Sequence, residues 1–126
     1  MIQAYSNNIT VESAQAIPFN NTQTYKGCTV AHGSPATFEL NKCGVYLVEF
    51  NGSAAAAVSA QLYVNGVARP GAQATGTAVA FSDTIVVPND NSRCNPCTSP
   101  TVVQVVNTGA AAGTFDVTNI IITKIV

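Results

Sequence analysis

The chain has 126 residues, a net charge of −1 and only 9% charged side chains, against about 25% in an ordinary soluble domain. Its basic residues, Lys26, Lys42, Arg69, Arg93 and Lys124, are scattered singly, which excludes the basic patch of a nucleic-acid-binding surface and leaves an acidic partner nothing to meet. No apolar run approaches the ~20 residues that span a bilayer, and the polar start "MIQAYSNNIT" has neither the charged nor the apolar region of a secretory signal.

A chain of this length builds one domain, residues 1–126, with a core of its own. Its elements read as strands. In "NITVESAQAIPF", Ile9, Val11 and Ser13 alternate with Thr10 and Glu12. "TQTYKGCTVAH" follows as a second strand and "GSP" as a turn. In "ATFELN", Phe38 and Leu40 point one way, Thr37 and Glu39 the other. After the turn "NKCG" comes the long strand "GVYLVEFNGSAAAA". Its alanine cluster favours helix by propensity, but β-branched residues and alternation surround it, so a strand is expected. "VSAQLYVNGVARPG" is strand, turn, strand, with Asn65-Gly66 as a two-residue hairpin signal. "GTAVAFSDTIVVP" is the next strand, ended by Pro88. "NDNSRCNPCTSP" is a loop, shaped by Pro96 and Pro100. "TVVQVVN" and "GTFDVTNIIITKIV" close the chain around the turn "TGAAAG". About eight short strands at regular spacing predict an all-β, two-sheet jelly-roll sandwich.

Two strands are apolar on both sides. Tyr46, Val48 and Phe50 share one face of "GVYLVEF", and Val45 and Leu47 take the other. In the last strand Phe115, Val117, Ile121 and Ile125 are read as one face, and Ile120, Ile122 and Val126 as the opposite one. A strand with one face in water alternates apolar with polar, and each sheet of a two-layer sandwich turns only one face to the core. The second face is therefore expected to meet another copy of the chain through Val45, Leu47, Ile120, Ile122 and Val126.

The chemistry-bearing residues are few. Cys28, Cys43, Cys94 and Cys97 allow three disulfide pairings. They also stand as free or structural cysteines, or as ligands of a tetrahedral metal site with Cys94-Asn-Pro-Cys97 as its first half. Cys28 and His32 are four apart on a strand, about 13 Å at 3.3 Å per residue, too far to share one zinc ion without a bend. No redox reading holds, because the Cys-x-x-Cys pair opens no helix in a βαβ unit. His32 is the lone histidine, so any nucleophile–base pair with an imidazole needs it. It sits beside a Gly-Ser-Pro turn and is expected to have a turn role. Glu12, Glu39, Glu49, Asp83, Asp90 and Asp116 are spread singly. Glu49 and Asp116 are read as solvent-exposed, with an inter-subunit pair to Lys124 or a cation site as the other reading. "NDNSR" (89–93) lacks the full ligand spacing of a calcium loop. Asn8, Asn20 and Asn51 open glycosylation-type triplets that have no eukaryotic secretory context here.

"FELNKCGVYLVEFNGSAAA" resembles the opening of the central strand in tumour-necrosis-factor-like and complement-globular-head jelly rolls, with Cys43, Gly44, Val45 and Tyr46 at the matching positions. "AAAVSAQLYVNGVARPGA", "FSDTIVVP", "VVQVVNTG" and "TNIIITKI", in that order, are similar to the C-terminal domain of the collagen-like spore exosporium glycoproteins, over roughly residue 17 to the C-terminus. The resemblance implies a tight homotrimer whose interface sheet includes strand 44–50 and the last strand. Similar stand-alone domains are encoded by bacteriophages as virion-surface or head-decoration proteins. The chain has no Gly-X-Y stalk and starts at Met1 with no anchor sequence. The expectation is therefore a structural trimer docked on a virion (phage head or fibre), with a bacterial spore surface as the alternative particle. It needs no cofactor and is not an enzyme. A second reading is a binding module whose loops, "GVARPGAQATG" and the cysteine loop, recognise a carbohydrate or a receptor; those loops contain no aromatic residue.

Overall fold

The computed structural model describes residues 1–88 and 101–126. Cys94, Cys97, Asp90, Arg93, the "NDNSR" segment and the Pro96–Pro100 turn lie outside the described residues. Within them the chain forms eight strands: β1 (Ile2–Val11), β2 (Asn21–Tyr25), β3 (Val30–Ser34), β4 (Thr37–Leu40), β5 (Gly44–Val64), β6 (Val67–Val87), β7 (Thr101–Asn107) and β8 (Gly113–Lys124).

Two of these strands, β5 and β6, run through both layers of a sandwich. The first part of β5 pairs with β8, from Tyr46↔Lys124 to Ser53↔Val117. Its last part pairs with β7, from Ala60↔Asn107 to Val64↔Val103. Between them the β5–β6 register breaks from Ser53 to Val58, and the intervening alanines, with no bulk to obstruct a bend, let the ribbon turn the corner. Gly76 (φ +148°) faces this corner on β6. The result is one sheet ordered β2-β1-β8-β5-β6 and a second ordered β3-β4-β7-β5-β6, all antiparallel, which is the jelly-roll sandwich expected from the sequence. The alanine cluster is strand, as its surroundings required.

A single core fills the space between the sheets. Phe19, from the β1–β2 connection, joins the layers: its ring lies 5.7 Å from that of Phe38 on β4 and 6.2 Å from that of Phe50 on β5. Tyr46, Val48 and Phe50 are buried together, as their alternation predicts. Each such side chain withdrawn from water contributes about 1.5–3 kcal/mol. The Tyr46 hydroxyl donates to Lys42 O (2.8 Å) and accepts from Lys42 N (3.2 Å), closing the β4–β5 turn from inside.

Several boundaries differ from the sequence expectation. β1 begins at Ile2 rather than near Asn8, because Ile2, Ala4 and Ser6 face the core. "TQTYKGCTVAH" is two strands, parted at Gly27 (φ +82°). The Asn65-Gly66 hairpin is present, with φ +51° and +78°. "RPGA" after it is no chain reversal: residues 69–72 bulge opposite Leu62, and Gln61 Nε2 and Gln73 Nε2 hold the bulge through Arg69 O and Pro70 O, both at 3.1 Å. The segment "GVARPGAQATG", expected as a recognition loop, is thus mostly strand.

Two residues expected at the interface are turned inward instead. Ile120 and Ile122 are fully buried in the core of their own chain, together with Phe115. The alternation of β8 resets between Phe115 and Thr118, both of which point inward. Ile121 therefore takes the outward position that the sequence pattern gave to its neighbours, opposite Glu49 and one row from Leu47. Val126 remains exposed.

Candidate functional site

The isolated histidine is engaged in packing. His32 stacks on Phe38 with ring centroids 4.3 Å apart. Its Nε2 lies 3.0 Å from Pro35 O and its Nδ1 3.4 Å from Thr22 Oγ1. A carbonyl can only accept, so Nε2 carries the proton and donates; Nδ1 is left to accept from the Thr22 hydroxyl. The ring thus latches the β3–β4 turn to β2, in keeping with the turn role expected of it.

Cys28 is an exposed free thiol, whereas Cys43 is disulfide-bonded. A sulfur committed to a disulfide is not a thiolate, so Cys43 does not serve as the metal ligand considered from the sequence. Among the described residues no three His, Cys, Asp or Glu side chains gather as a metal-binding group. Glu49 and Asp116 are exposed, and Lys124 Nζ donates to Val126 O at 2.7 Å rather than to either carboxylate. One ion pair occurs among the described residues: Arg69 Nε to Asp83 Oδ2 at 2.8 Å, which ties the two halves of β6 across the open edge of the sandwich.

The feature that stands out is the outward face of the β1-β8-β5-β6 sheet. Strand register puts Val45 beside Val86, Leu47 between Thr84 and Thr123, and Glu49 between Ser82 and Ile121, with Gln3 beyond. Farther along, Asn51, Asn119 and Tyr5 form a polar row, and Gln3 Nε2 donates to Asn119 Oδ1 at 3.2 Å. Val45, Leu47 and Ile121 are half-buried, whereas Val86 is 67% exposed. At one end the face is apolar, at the other it is neutral and hydrogen-bonding, and Glu49 is the only charged side chain in these rows. Covering the aliphatic end of this face costs little, whereas Glu49 and the amide row need hydrogen-bonding partners when they are covered.

The opposite sheet carries a cleft of about 520 Å³ on its own outward side, where the 13–16 segment lies along the end of β7. Tyr63 and Gln104, cross-strand neighbours on β5 and β7, line it together with Val106 and Gln15. Sequence reading missed this site because its aromatic sits in a strand rather than a loop.

Two five-stranded antiparallel sheets that share their β5–β6 ribbon define the class: a jelly roll of the tumour-necrosis-factor and complement type. The globular domain of zebrafish complement 1qA protein superposes with a TM-score of 0.66 at 14% identity, over 95% of this chain and 94% of that one. Rabbit GITRL superposes with a TM-score of 0.56 at 11% identity, over 100% of this chain and 95% of that one. At such identities the likeness shows the fold. The sequence defines the family: the BclA C-terminal domain model matches residues 3–126, and the chain belongs to that family. No curated protein matches it in sequence.

Proposed function

We propose that the protein is a structural surface domain: a homotrimeric jelly-roll knob on the outside of a particle, without catalytic activity. The observation that carries this reading is the partly apolar face that holds Val45, Leu47 and Ile121, with Glu49 as the one charged side chain in its rows. Three copies packed through it around a common axis would bury Val45 and its cross-strand partner Val86 together with Leu47 and Ile121. The core-facing residues Tyr46, Val48 and Ile120 lie on the reverse of the same strands. The interface is thus built directly on the core and shares its rigidity. Membership of the BclA C-terminal domain family supports a surface role. For the particle, the proposal is a virion, as a phage head or fibre decoration, with a bacterial spore as the second reading; membership of the BclA C-terminal domain family supports the second.

The mass in solution tests the assembly. Light scattering at micromolar concentration is expected to give about three times the 13.0 kDa of one chain. Leu47→Asp, placing a charge in the middle of the face, is expected to give a folded monomer. A wild-type monomer, or a variant trimer as stable as wild type, would refute the reading.

A further inference from the structure

We propose that the cleft between residues 13–16 and the end of β7 is a binding site for an uncharged sugar residue of a glycan. The proposal is independent of the trimer, because the cleft opens on the sheet face turned away from Val45, Leu47 and Ile121.

The cleft is preformed. Ala14 N donates to Asn107 O (2.8 Å), Asn107 N to Gln15 O (2.9 Å) and Ile17 N to Val105 O (2.7 Å), so the wall is laid onto β7 like a short extra strand. Ser13 Oγ donates to Gly109 O at 2.6 Å. The Asn107 amide nitrogen donates to Val11 O (2.9 Å) and Ala111 O (3.2 Å), and its oxygen accepts from Gly109 N (2.9 Å). Ala14 is held at φ +65°, a conformation that an L side chain adopts only when its surroundings impose it. A ligand entering here has no loop to order, which removes a principal cost of binding.

The groups facing the cleft divide into two sets. Ser13 and Asn107 are consumed by the framework. The Tyr63 hydroxyl and the Gln15 side-chain amide have no hydrogen-bond partner among the described residues, and the Gln104 side chain spends only its nitrogen, on Thr37 Oγ1 at 3.4 Å. The cross-strand neighbours of Tyr63 are Gln104 on one side and Ala68 on the other, and the small Ala68 leaves that flank of the ring open. One aromatic ring with uncommitted amides around it matches a pyranose, whose C–H face packs on the ring while its hydroxyls both donate and accept. Among the described residues no Lys, Arg, His, Asp or Glu lines the cleft, so no described side chain there would neutralise a phosphate, a sulfate or a uronic acid. A volume of about 520 Å³ falls within the ~300–1,000 Å³ of small-molecule sites.

The test is an amide-resolved NMR titration of the full chain with cellotriose, maltotriose, mannotriose, chitotriose and, as the charged probe, trigalacturonate. At least one neutral probe is expected to produce saturable shifts at Gln15, Tyr63, Gln104 and Thr108. Tyr63→Ala should weaken that binding at least tenfold, roughly 1.4 kcal/mol or more, whereas Tyr63→Phe should hold it within about threefold. Tyr25→Ala, an exposed tyrosine on β2, should change nothing. Three results overturn the proposal: no saturable shift with any neutral probe up to about 10 mM, shifts that map elsewhere, or binding that survives Tyr63→Ala. If Tyr63→Ala perturbs the spectrum throughout, Gln15→Ala and Gln104→Ala decide in its place: weakened binding supports the site, and unchanged binding by both removes it.

Discussion

Gly44 lies directly against the C-terminal residues. A Cβ built on it would collide with the carbonyl oxygen of Val126 and stand 2.7 Å from Lys124 Cε. The contact exists because Ile125 N donates to Val45 O at 2.8 Å, drawing the chain end across the start of β5. The backbone of Gly44 also sits at φ +139°, which side chains rarely adopt. Gly44→Ala therefore faces both strain and overlap and should lose about 2–4 kcal/mol in denaturant unfolding. Gly66 supplies the comparison. Its φ is +78° but nothing lies within 4 Å of the added carbon, so Gly66→Ala should cost only the conformational part, about 1 kcal/mol.

Among the described residues, Tyr46 is the group whose proton equilibrium the fold clearly alters. Burial pushes its phenol above the ordinary value of 10.0, and the hydrogen bond to Lys42 only partly opposes this. The folded chain then keeps the proton at a pH where the unfolded chain gives it up. The associated stability is fully present below pH 10.0 and declines as the pH rises from there through the folded-state value. Tyr46→Phe should lose about 1–2 kcal/mol at neutral pH, since Lys42 O is left without its donor. Unfolding free energies measured from pH 9 upward should fall less steeply in the variant than in wild type.

Thr118 Oγ1 is buried without a hydrogen-bond partner, the one such side-chain atom among the described residues. It faces Ser6 and Gly52 across the sheet. Ser6, equally buried, is satisfied: its Oγ donates to Pro18 O (2.8 Å) and accepts from Asn20 N (2.7 Å). Thr118→Val keeps the shape and removes the orphan, so it should stabilise by about 1 kcal/mol. Ser6→Ala should destabilise by a similar or larger amount, because it orphans two backbone groups at once. Paired thermal melts of the two variants check the opposite signs.

What the sequence made legible was period and punctuation. β4 carries clean alternation and turn residues at its ends, and Asn65-Gly66 marks its hairpin without help from tertiary structure. What it hid depended on partners elsewhere in the chain. Ile2, Ala4 and Ser6 read as a polar beginning because two of the three are small, yet the β8 pairing turns all of them inward. Pro70-Gly71 is a turn signal, but in an edge strand a bulge absorbs it: Pro70 sits where no ladder bond is required of it. In β8, Thr118 looks like a surface residue, and its burial shifts the alternation that the flanking isoleucines suggested. The cleft was invisible for the same reason, since Tyr63 and residues 13–16 meet only when the β1–β2 connection crosses to β7.

The shift in β8 gives the sharpest test of which side of the sheet does what. Ile120 and Ile121 are adjacent in sequence and alike in chemistry, but Ile120 is fully buried and Ile121 stands outward beside Glu49. Ile120→Ala removes core volume and should cost about 2–5 kcal/mol in unfolding measurements, with the assembly unchanged while the chain stays folded. Ile121→Asp should do the reverse: it leaves the fold of the single chain intact and, if this face is the proposed interface, shifts the mass from trimer to monomer, because it adds a second carboxylate beside Glu49 to a contact that would be desolvated. If the two effects were exchanged, Ile120 would be the residue on the outer face. If Ile121→Asp left the mass unchanged, the interface would have to lie on another surface, and the apolar rows around Val45 and Leu47 would be an exposed patch of a monomer.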